Sequence, residues 1–384
     1  VSANNAATAG TNTSLAWVPY TAEFGVAWDI PADKTYYISR FDNNLNWLGT
    51  DMSRQAGPDA GEYDRPTDLM YVGDAFIDAA ESAKLNGSSY FKTFRVRRHN
   101  GSYDNGVEIL EGQHSHGRYA SLDWAVGDDG ALEQNQIEHV AYRANTGGLR
   151  HAYARYDNGG TGCTDEVFAG VSTWSCEWVD PAADVYATDI HATKLFCQGC
   201  VDPARIIYYD ENSGKLKVAS RTGNAAHNCN GGAPGWSCGA IDSIAAGKTV
   251  DGIRISMAVG GPGAGQIKIA YTDKDDAANS VLKLATLTGN AGDSCIPGGL
   301  TGWSCEIVDD GGAANDNTGW EPSLGWDGEN LYIAYYNQSS NMLKVAFPRL
   351  ALPITFTKAY GPAKILRIFL GEADESAGTN SRVP

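Results

Sequence analysis

Apolar and polar residues alternate in short runs along this chain, and the runs come in pairs. "HVAYRANTGGLRHAY" (139–153), "RIIYYDENSGKLKVA" (205–219), "KIAYTDKDDAANSVLKLA" (268–285) and "YIAYYNQSSNMLKVA" (332–346) share one plan. Each has an apolar stretch with Tyr, a polar turn holding Gly or Asn, and a second apolar stretch. That pattern predicts a β-hairpin. A further strand is predicted ahead of three of them, in "YASLDWAV" (119–126), "RISMAV" (254–259) and "EPSLGWDG" (321–328). A fourth follows in "TWSCEWVDP", "PGWSCGAID" and "GWSCEIVDD", whose Trp174, Trp236 and Trp303 stand 62 and 67 residues apart.

The hairpin tyrosines Tyr142, Tyr208, Tyr271 and Tyr335 recur every 63 to 66 residues, in step with the Trp-Ser-Cys strands. Four antiparallel strands in each repeat of this length read as one blade of a β-propeller with long connections. The N-terminal third is more diverged. "FGVAWDI" (24–30) matches "SLGWDGE", and "YYISRFDNNLNWLG" (36–49) matches the hairpins. Blades are therefore expected near 24–57, 58–116, 117–180, 181–242, 243–310 and 311–350, the last lacking its fourth strand. "TSLAWVPY" resembles a Trp-Ser-Cys strand without Cys, so the strand at 13–20 is expected to close the ring by pairing with the last blade, leaving no open sheet edge. The predicted fold is all-β: a six-bladed β-propeller over residues 1–350, with a C-terminal extension at 351–384.

Composition agrees with short strands joined by turns. Charged residues make up 20% of the 384, with 45 Gly, 19 Tyr and 10 Trp. No run approaches 18 consecutive apolar residues, so no membrane span is expected. Net charge is −17, which disfavours nucleic acid and anionic membranes as partners, because both need clustered Lys and Arg. "VSANNAATAG" reads as a mature N-terminus after processing.

Eight cysteines set the expected compartment. Cys163 and Cys176, Cys229 and Cys238, and Cys295 and Cys305 form short pairs at the Trp-Ser-Cys strands, and Cys197 with Cys200 lies in "FCQGC". Evenly placed short pairs read as disulfides of a secreted or cell-surface protein. Zinc is the other use of such pairs, but it needs four ligands converging, and the repeat spreads them along the chain. Trp-Ser-Cys thus reads as a staple: the disulfide pins an outer edge strand to the preceding loop while Trp covers the blade surface.

In a propeller the innermost strand of each blade starts at the mouth of a central channel, where ligands bind. With the residue two before the Ser of "EPSLGW" as reference, the aligned positions are Glu23, Arg65, Tyr119 with Arg118 beside it, Asp189, Arg254 and Glu321. The chain resembles the six-bladed propellers of the sialidase-like kind in blade number, blade length and hairpin pattern, over about 14–350. It departs from their Ser-x-Asp-x-Gly-x-x-Trp box: "YDENSGKLKVA" keeps an Asp and a Gly but has Leu in place of Trp. The resemblance implies a site in which Glu23, Arg65, Arg118 and Arg254 bind ligand, the arginines holding a carboxylate. Tyr119, Asp189 and Glu321 would then carry acid, base or nucleophile roles in glycoside hydrolysis. The same charges also suit a wet channel in which they neutralise one another, so both readings stay open.

Other features add less. His114 and His116 in "QHSHG" share a face if extended, with no third metal ligand placed. The loops at 272–280 and 311–319 are rich in oxygen ligands suited to Ca²⁺ but lack EF-hand spacing. Asn12, Asn86, Asn100 and Asn337 lie in Asn-x-Ser/Thr sequons. No organic cofactor is expected. The tail at 351–384 contains "AKILRIFL", too apolar to stay in water, and is expected to cross an outer surface and join subunits into a homo-oligomer or filament. The sequence as a whole predicts a non-catalytic extracellular binding or assembly module whose partner is a glycan or a surface protein. The alternative is a sialidase-like glycoside hydrolase.

Overall fold

The structure is a computed structural model. It describes residues 13–18, 23–30, 35–42, 46–55, 63–72, 75–86, 89–100, 103–111, 118–126, 136–144, 146–155, 174–192, 204–244, 254–260, 266–276, 279–312, 316–326, 330–340 and 342–347. Among these residues there is no helix, and the named strands fall into six sheets.

The first sheet has the order β1 (Thr13–Val18), β2 (Glu23–Ile30), β3 (Thr35–Asp42), β4 (Trp47–Gln55). The second runs β5 (Tyr63–Val72), β6 (Ala75–Asn86), β7 (Ser89–Asn100), β8 (Tyr103–Glu111). The third contains β9 (Arg118–Val126), β10 (Gln136–Arg143), β11 (Leu149–Arg155) and β12 (Trp174–Asp180). The fourth contains β13 (Val185–Ala192), β14 (Ala204–Asp210), β15 (Lys215–Arg221) and β16 (Trp236–Ser243). The fifth contains β17 (Ile255–Gly260), β18 (Gln266–Asp276), β19 (Asn279–Leu287) and β20 (Trp303–Asp309). The last has only β21 (Trp320–Trp326), β22 (Leu331–Asn337) and β23 (Met342–Ala346). The chain divides into two compact units, 1–208 with 218–238, and 209–217 with 239–384.

The N-terminal strand does not close a ring in the described pairing. β1 lies antiparallel along β2, from Thr13↔Trp28 to Val18↔Glu23, and not on the last sheet. Only residues 19–22 separate the two strands, so this local hairpin closes at far lower entropic cost than a pairing more than three hundred residues away.

In the first unit, Ala141, Leu149, Val179, Ile206, Tyr208 and Trp236 are buried in one apolar cluster. In the second, Ala270, Leu282, Leu284, Leu331 and Ile333 form another. Two of the Trp-Ser-Cys tryptophans have described side chains, and both cover their sheets from inside the packing. Trp236 is fully buried and Trp303 nearly so. An indole is the largest apolar payload available, and it gains most where a second layer covers both faces.

Two predicted disulfides are present, Cys229–Cys238 and Cys295–Cys305, with Cα separations of 5.4 and 5.3 Å. Cys176 is also disulfide-bonded. Its expected partner Cys163, and Cys197 with Cys200, lie outside the described residues. The loops they close are built alike. The N–H groups of Thr222 and Thr288 donate to the carbonyls of Gly235 and Gly302, the glycines just before Trp-Ser-Cys. Both glycines have left-handed backbone, φ 94° and 86°, a conformation a side chain would strain. Loops this short sit at the low end of disulfide stabilisation, so Cys295→Ser with Cys305→Ser should lower unfolding free energy by roughly 2 kcal/mol in urea titration.

A second device repeats beside the staple. The Asp six residues after the Trp of each Trp-Ser-Cys strand is a buried or half-buried acceptor for the hairpin Tyr of the following sheet. Tyr208 donates to Asp180 at 2.7 Å in the first unit. In the second, Tyr271 donates to Asp242 at 2.5 Å and Tyr335 to Asp309 at 2.7 Å. Lys283 and Lys344 reach the same two carboxylates at 3.0 Å each. Lys217, at the matching position, pairs with Asp210 at 2.6 Å, as Lys283 also does with Asp273 at 2.6 Å. Burial and the Asp242 carboxylate together push the Tyr271 hydroxyl far above its ordinary range, so it stays a donor. Burial raises Asp309, but hydrogen bonds from Tyr335, the Gly311 N–H, Lys344 and Thr318 outweigh it and hold its carboxyl low.

Candidate functional site

Arg65, Tyr119, Asp189 and Glu321 lie on the first strands of their sheets, while Glu23 begins β2 and Arg254 just precedes β17; in two of the first strands the ladder breaks at the reference position. β9 pairs regularly with β10 from Val126↔Gln136 to Ser121↔Ala141, then jumps to Arg118↔Arg143. Tyr119 and Ala120 are left out of register, and Tyr119 has φ 54°. β21 does the same: Ser323 pairs with Ala334, the next partner is Trp320 with Tyr336, and Glu321 between them has φ 49°. β5 shifts register between Pro66 and Asp68, one residue beyond Arg65. A bulge re-aims the side chains that it frees from the ladder, and left-handed non-glycine residues persist only where their surroundings hold them.

In the first unit those surroundings are visible. The Thr188 hydroxyl donates to the carbonyl of Tyr119 and lies 3.3 Å from the Ser121 hydroxyl. The rings of Tyr119 and Tyr186 face each other at 5.2 Å. Thr188 immediately precedes Asp189, so the start of β9 lies against the middle of β13. Further along, Asp123 accepts the Ala192 N–H at 2.7 Å and pairs with His191 at 3.1 Å. Glu23 behaves differently: it pairs with Arg40 of its own sheet at 3.3 Å. The side chains of Arg65 and Arg118 lie outside the described residues.

In the second unit the first strands β17 and β21 are tied by the Leu324 N–H, which donates to the Ser256 hydroxyl at 3.0 Å. Arg254 just precedes β17, and its carbonyl accepts the Thr272 N–H at 3.4 Å. Glu321 is exposed at the bulge. Chemically, the described parts offer an aromatic pair with phenol hydroxyls in one unit and an exposed carboxylate in the other. The tyrosines suit stacking and hydrogen bonding to a polar ligand, and the carboxylate suits accepting its hydrogen bonds.

Among the described residues no group of His, Cys, Asp or Glu is placed to hold a metal ion. His114 and His116 lie outside them. Just ahead of the 311–319 loop, Asp309 accepts the Gly311 N–H and Asp310 the Gly312 N–H. Asp316 accepts from the Asn337 amide at 3.1 Å.

Sequence reasoning missed a buried polar chain in the first unit. His139 and His151, both fully buried, meet with Nδ1 of His139 3.0 Å from Nε2 of His151. The other nitrogen of His151 lies 2.9 Å from Glu177, which also accepts the Trp236 indole N–H at 3.1 Å. Arg221 stands 4.0 Å from the same carboxylate and stacks over Tyr153. Burial drives His151 from 6.5 down to about 4, against the pull of Glu177. Burial pushes Glu177 up, but the hydrogen bond from His151 and the charges nearby hold it below its ordinary value. With Glu177 ionised, His151 donates through Nδ1 and accepts the Nδ1–H of His139. No motif announced this chain: its members come from β10, β11, β12 and β16.

No protein-family model matches the chain, and no curated protein matches it in sequence. Solved structures do. A crystal structure of a triple arginine-to-alanine mutant of AofleA from Arthrobotrys oligospora is 13% identical, covering 88% of this chain and 83% of that one, with a TM-score of 0.50. A structure from a study of two prolyl endopeptidases is 11% identical, covering 88% of this chain and 42% of that one, with a TM-score of 0.40. Neither points to the sialidase-like kind. With six sheets of three or four strands, the first of these likenesses supports a β-propeller-like all-β fold.

Proposed function

We propose that this protein is an extracellular binding module, built as a six-bladed propeller, that takes a glycan or a surface-protein ligand at the starts of its first strands. The observation carrying this is the repeated bulge that puts Tyr119 and Glu321, at equivalent repeat positions, in left-handed backbone. Holding a non-glycine residue there costs about 1–2 kcal/mol. Paying that twice at one repeat position fits a role in presenting the side chain rather than in packing. Arg118, Asp189 and Arg254 are the further ligand contacts of this reading, and self-association through 351–384 is its assembly mode.

The disulfides are compatible with an extracellular site, and no described helix is long and apolar enough to cross a membrane. Binding to an immobilised glycan panel is the test. Tyr119→Ala and Glu321→Gln should each weaken retention at least tenfold, with melting temperature within about 3 °C of wild type. Unchanged binding by both variants would remove the site. Turnover of any acidic-sugar glycoside by wild type, lost in Glu321→Gln, would instead favour the hydrolase.

A further inference from the structure

The stapled loop of the fourth sheet places an exposed, chemically labile pair against a buried carboxylate. Asn230 and Gly231 follow Cys229, and Asn230 is exposed. Both have left-handed backbone, φ 49° and 84°. The Asn230 side-chain amide donates to Oδ1 of Asp180 at 2.9 Å, and Asp180 is fully buried. The other oxygen of Asp180 accepts the Tyr208 hydroxyl. This first-unit latch is therefore closed from the loop side by a neutral amide.

The loop also sits tightly on the edge strand of the preceding sheet. The Ala233 N–H donates to the Trp178 carbonyl of β12 at 2.7 Å. A Cβ on Gly232 would come within 2.2 Å of the Val179 carbonyl oxygen, so the backbone has no slack there. The fifth sheet seats its loop the same way, with the Leu300 N–H on the Ala240 carbonyl, two residues before Asp242. In that loop Pro297 precedes the left-handed Gly298, and Asp242 is met by the Lys283 ammonium. Of these two loops, the labile pair belongs to the one whose Asp is held by an amide.

We infer that Asn230–Gly231 is a site of spontaneous deamidation, and that the reaction opens the Asp180 latch. Glycine has no Cβ to shield the preceding side chain from its own backbone nitrogen. At 3.3 Å the Gly231 N–H makes a long hydrogen bond to Asn228 Oδ1, so little holds the proton that must leave. The Gly231 nitrogen, deprotonated by hydroxide, attacks Cγ of Asn230. The bond from Cγ to the amide nitrogen breaks, and that nitrogen leaves as ammonia after taking a proton from water. Water then opens the cyclic imide at either carbonyl, giving aspartate or isoaspartate. The net change is water consumed and ammonia released.

Both products undo what seats the loop. Each replaces the N–H that Asp180 accepts with a like charge beside a buried carboxylate. Isoaspartate also adds a methylene to the main chain just ahead of Gly232, where the close approach to Val179 cannot absorb it. The change is slow and one-way, so it would mark the age of a molecule.

The test uses full-length native protein held at pH 8 and 37 °C. Peptide mapping should show residue 230 converting to a mixture of aspartate and isoaspartate. The 231–233 amides of the converted fraction should exchange hydrogen at least tenfold faster than those of fresh protein. Asn230→Gln, whose longer side chain closes an imide far more slowly, should stay unconverted over the same time. Asn230→Asp should melt roughly 4 °C or more below wild type. Combining it with Asp180→Asn, which restores one amide facing one carboxylate, should recover most of that loss. Conversion in urea but not in the native protein would show that the fold protects the pair. Aged protein or Asn230→Asp that melts with wild type would show that the amide does not hold the latch, and a swap that recovers nothing would remove the charge coupling. Each of these overturns the inference.

Discussion

Asp242→Ala is expected to lower the unfolding free energy by about 3–4 kcal/mol, close to what a buried, partnered charge is worth when it is broken on one side. Asp242 is 4% exposed and accepts from Tyr271 and Lys283, while its other oxygen accepts the Ser243 N–H. Removing it strands a phenol hydroxyl whose only other described neighbour is the Cys305 sulfur at 3.5 Å, a weak acceptor. Lys283 keeps Asp273 at 2.6 Å, so it is not left alone. Tyr271→Phe should therefore lose only about 1–2 kcal/mol, because the carboxylate stays paired with Lys283. If the two groups act as a unit, the double variant will lose clearly less than the sum of the singles. Urea denaturation followed by tryptophan fluorescence measures all three, and a loss below 1 kcal/mol for Asp242→Ala would show that the repeated Asp does not hold neighbouring sheets together.

Acid should weaken the first unit in a defined window. His151 titrates at about 4 when folded and 6.5 when unfolded. A folded value below the unfolded one means the neutral ring is favoured by folding. That stability is complete above about 6.5, falls as pH drops toward 4, and levels off below it. The shift corresponds to roughly 3 kcal/mol. Geometry gives the same sign: a proton on His151 Nε2 would point at the Nδ1–H of His139 across 3.0 Å, breaking the bond it now accepts. The other titratable or charged groups at this chain are Tyr153 beside the rings, Glu177 and Arg221. Arg221 adds to the penalty on a charged His151, and Glu177 reduces it. Melting temperature should therefore drop between pH 6.5 and 4 in wild type. His151→Gln should flatten that drop while lowering stability at pH 7. A wild-type drop in this window that His151→Gln leaves unchanged would exclude the buried pair as its source.

Much of the strand layout was legible because it is local. Each hairpin writes its own turn between period-two runs, as "DENSG" does for β14 and β15. The staples at Cys229–Cys238 and Cys295–Cys305 close within nine and ten residues, so spacing alone named the partners. The bulged positions Tyr119 and Glu321 were found by aligning the repeats, but their left-handed backbone was not, since neither is Gly or Asn.

The Asp latches were written in the sequence without being readable as contacts. An Asp stands six residues after the Trp in all three Trp-Ser-Cys strands, and the tyrosines keep the same period. Their pairing joins residues 26 to 29 apart from different sheets, and alternation reveals which face a side chain is on but not what covers it. Stacking decided the same question for His139 and His151: alternation sets them beside Ile137 and Ala141 and beside Leu149 and Tyr153, but only packing shows that both rings are fully buried. It also put Trp236 against Glu177 instead of at a surface. The sequence by itself determined the strands, turns and staples, since those depend on neighbours along the chain. Only the tertiary structure decided which carboxylates are buried and which hydroxyls they hold, because burial depends on the sheet that arrives from elsewhere in the chain to exclude water.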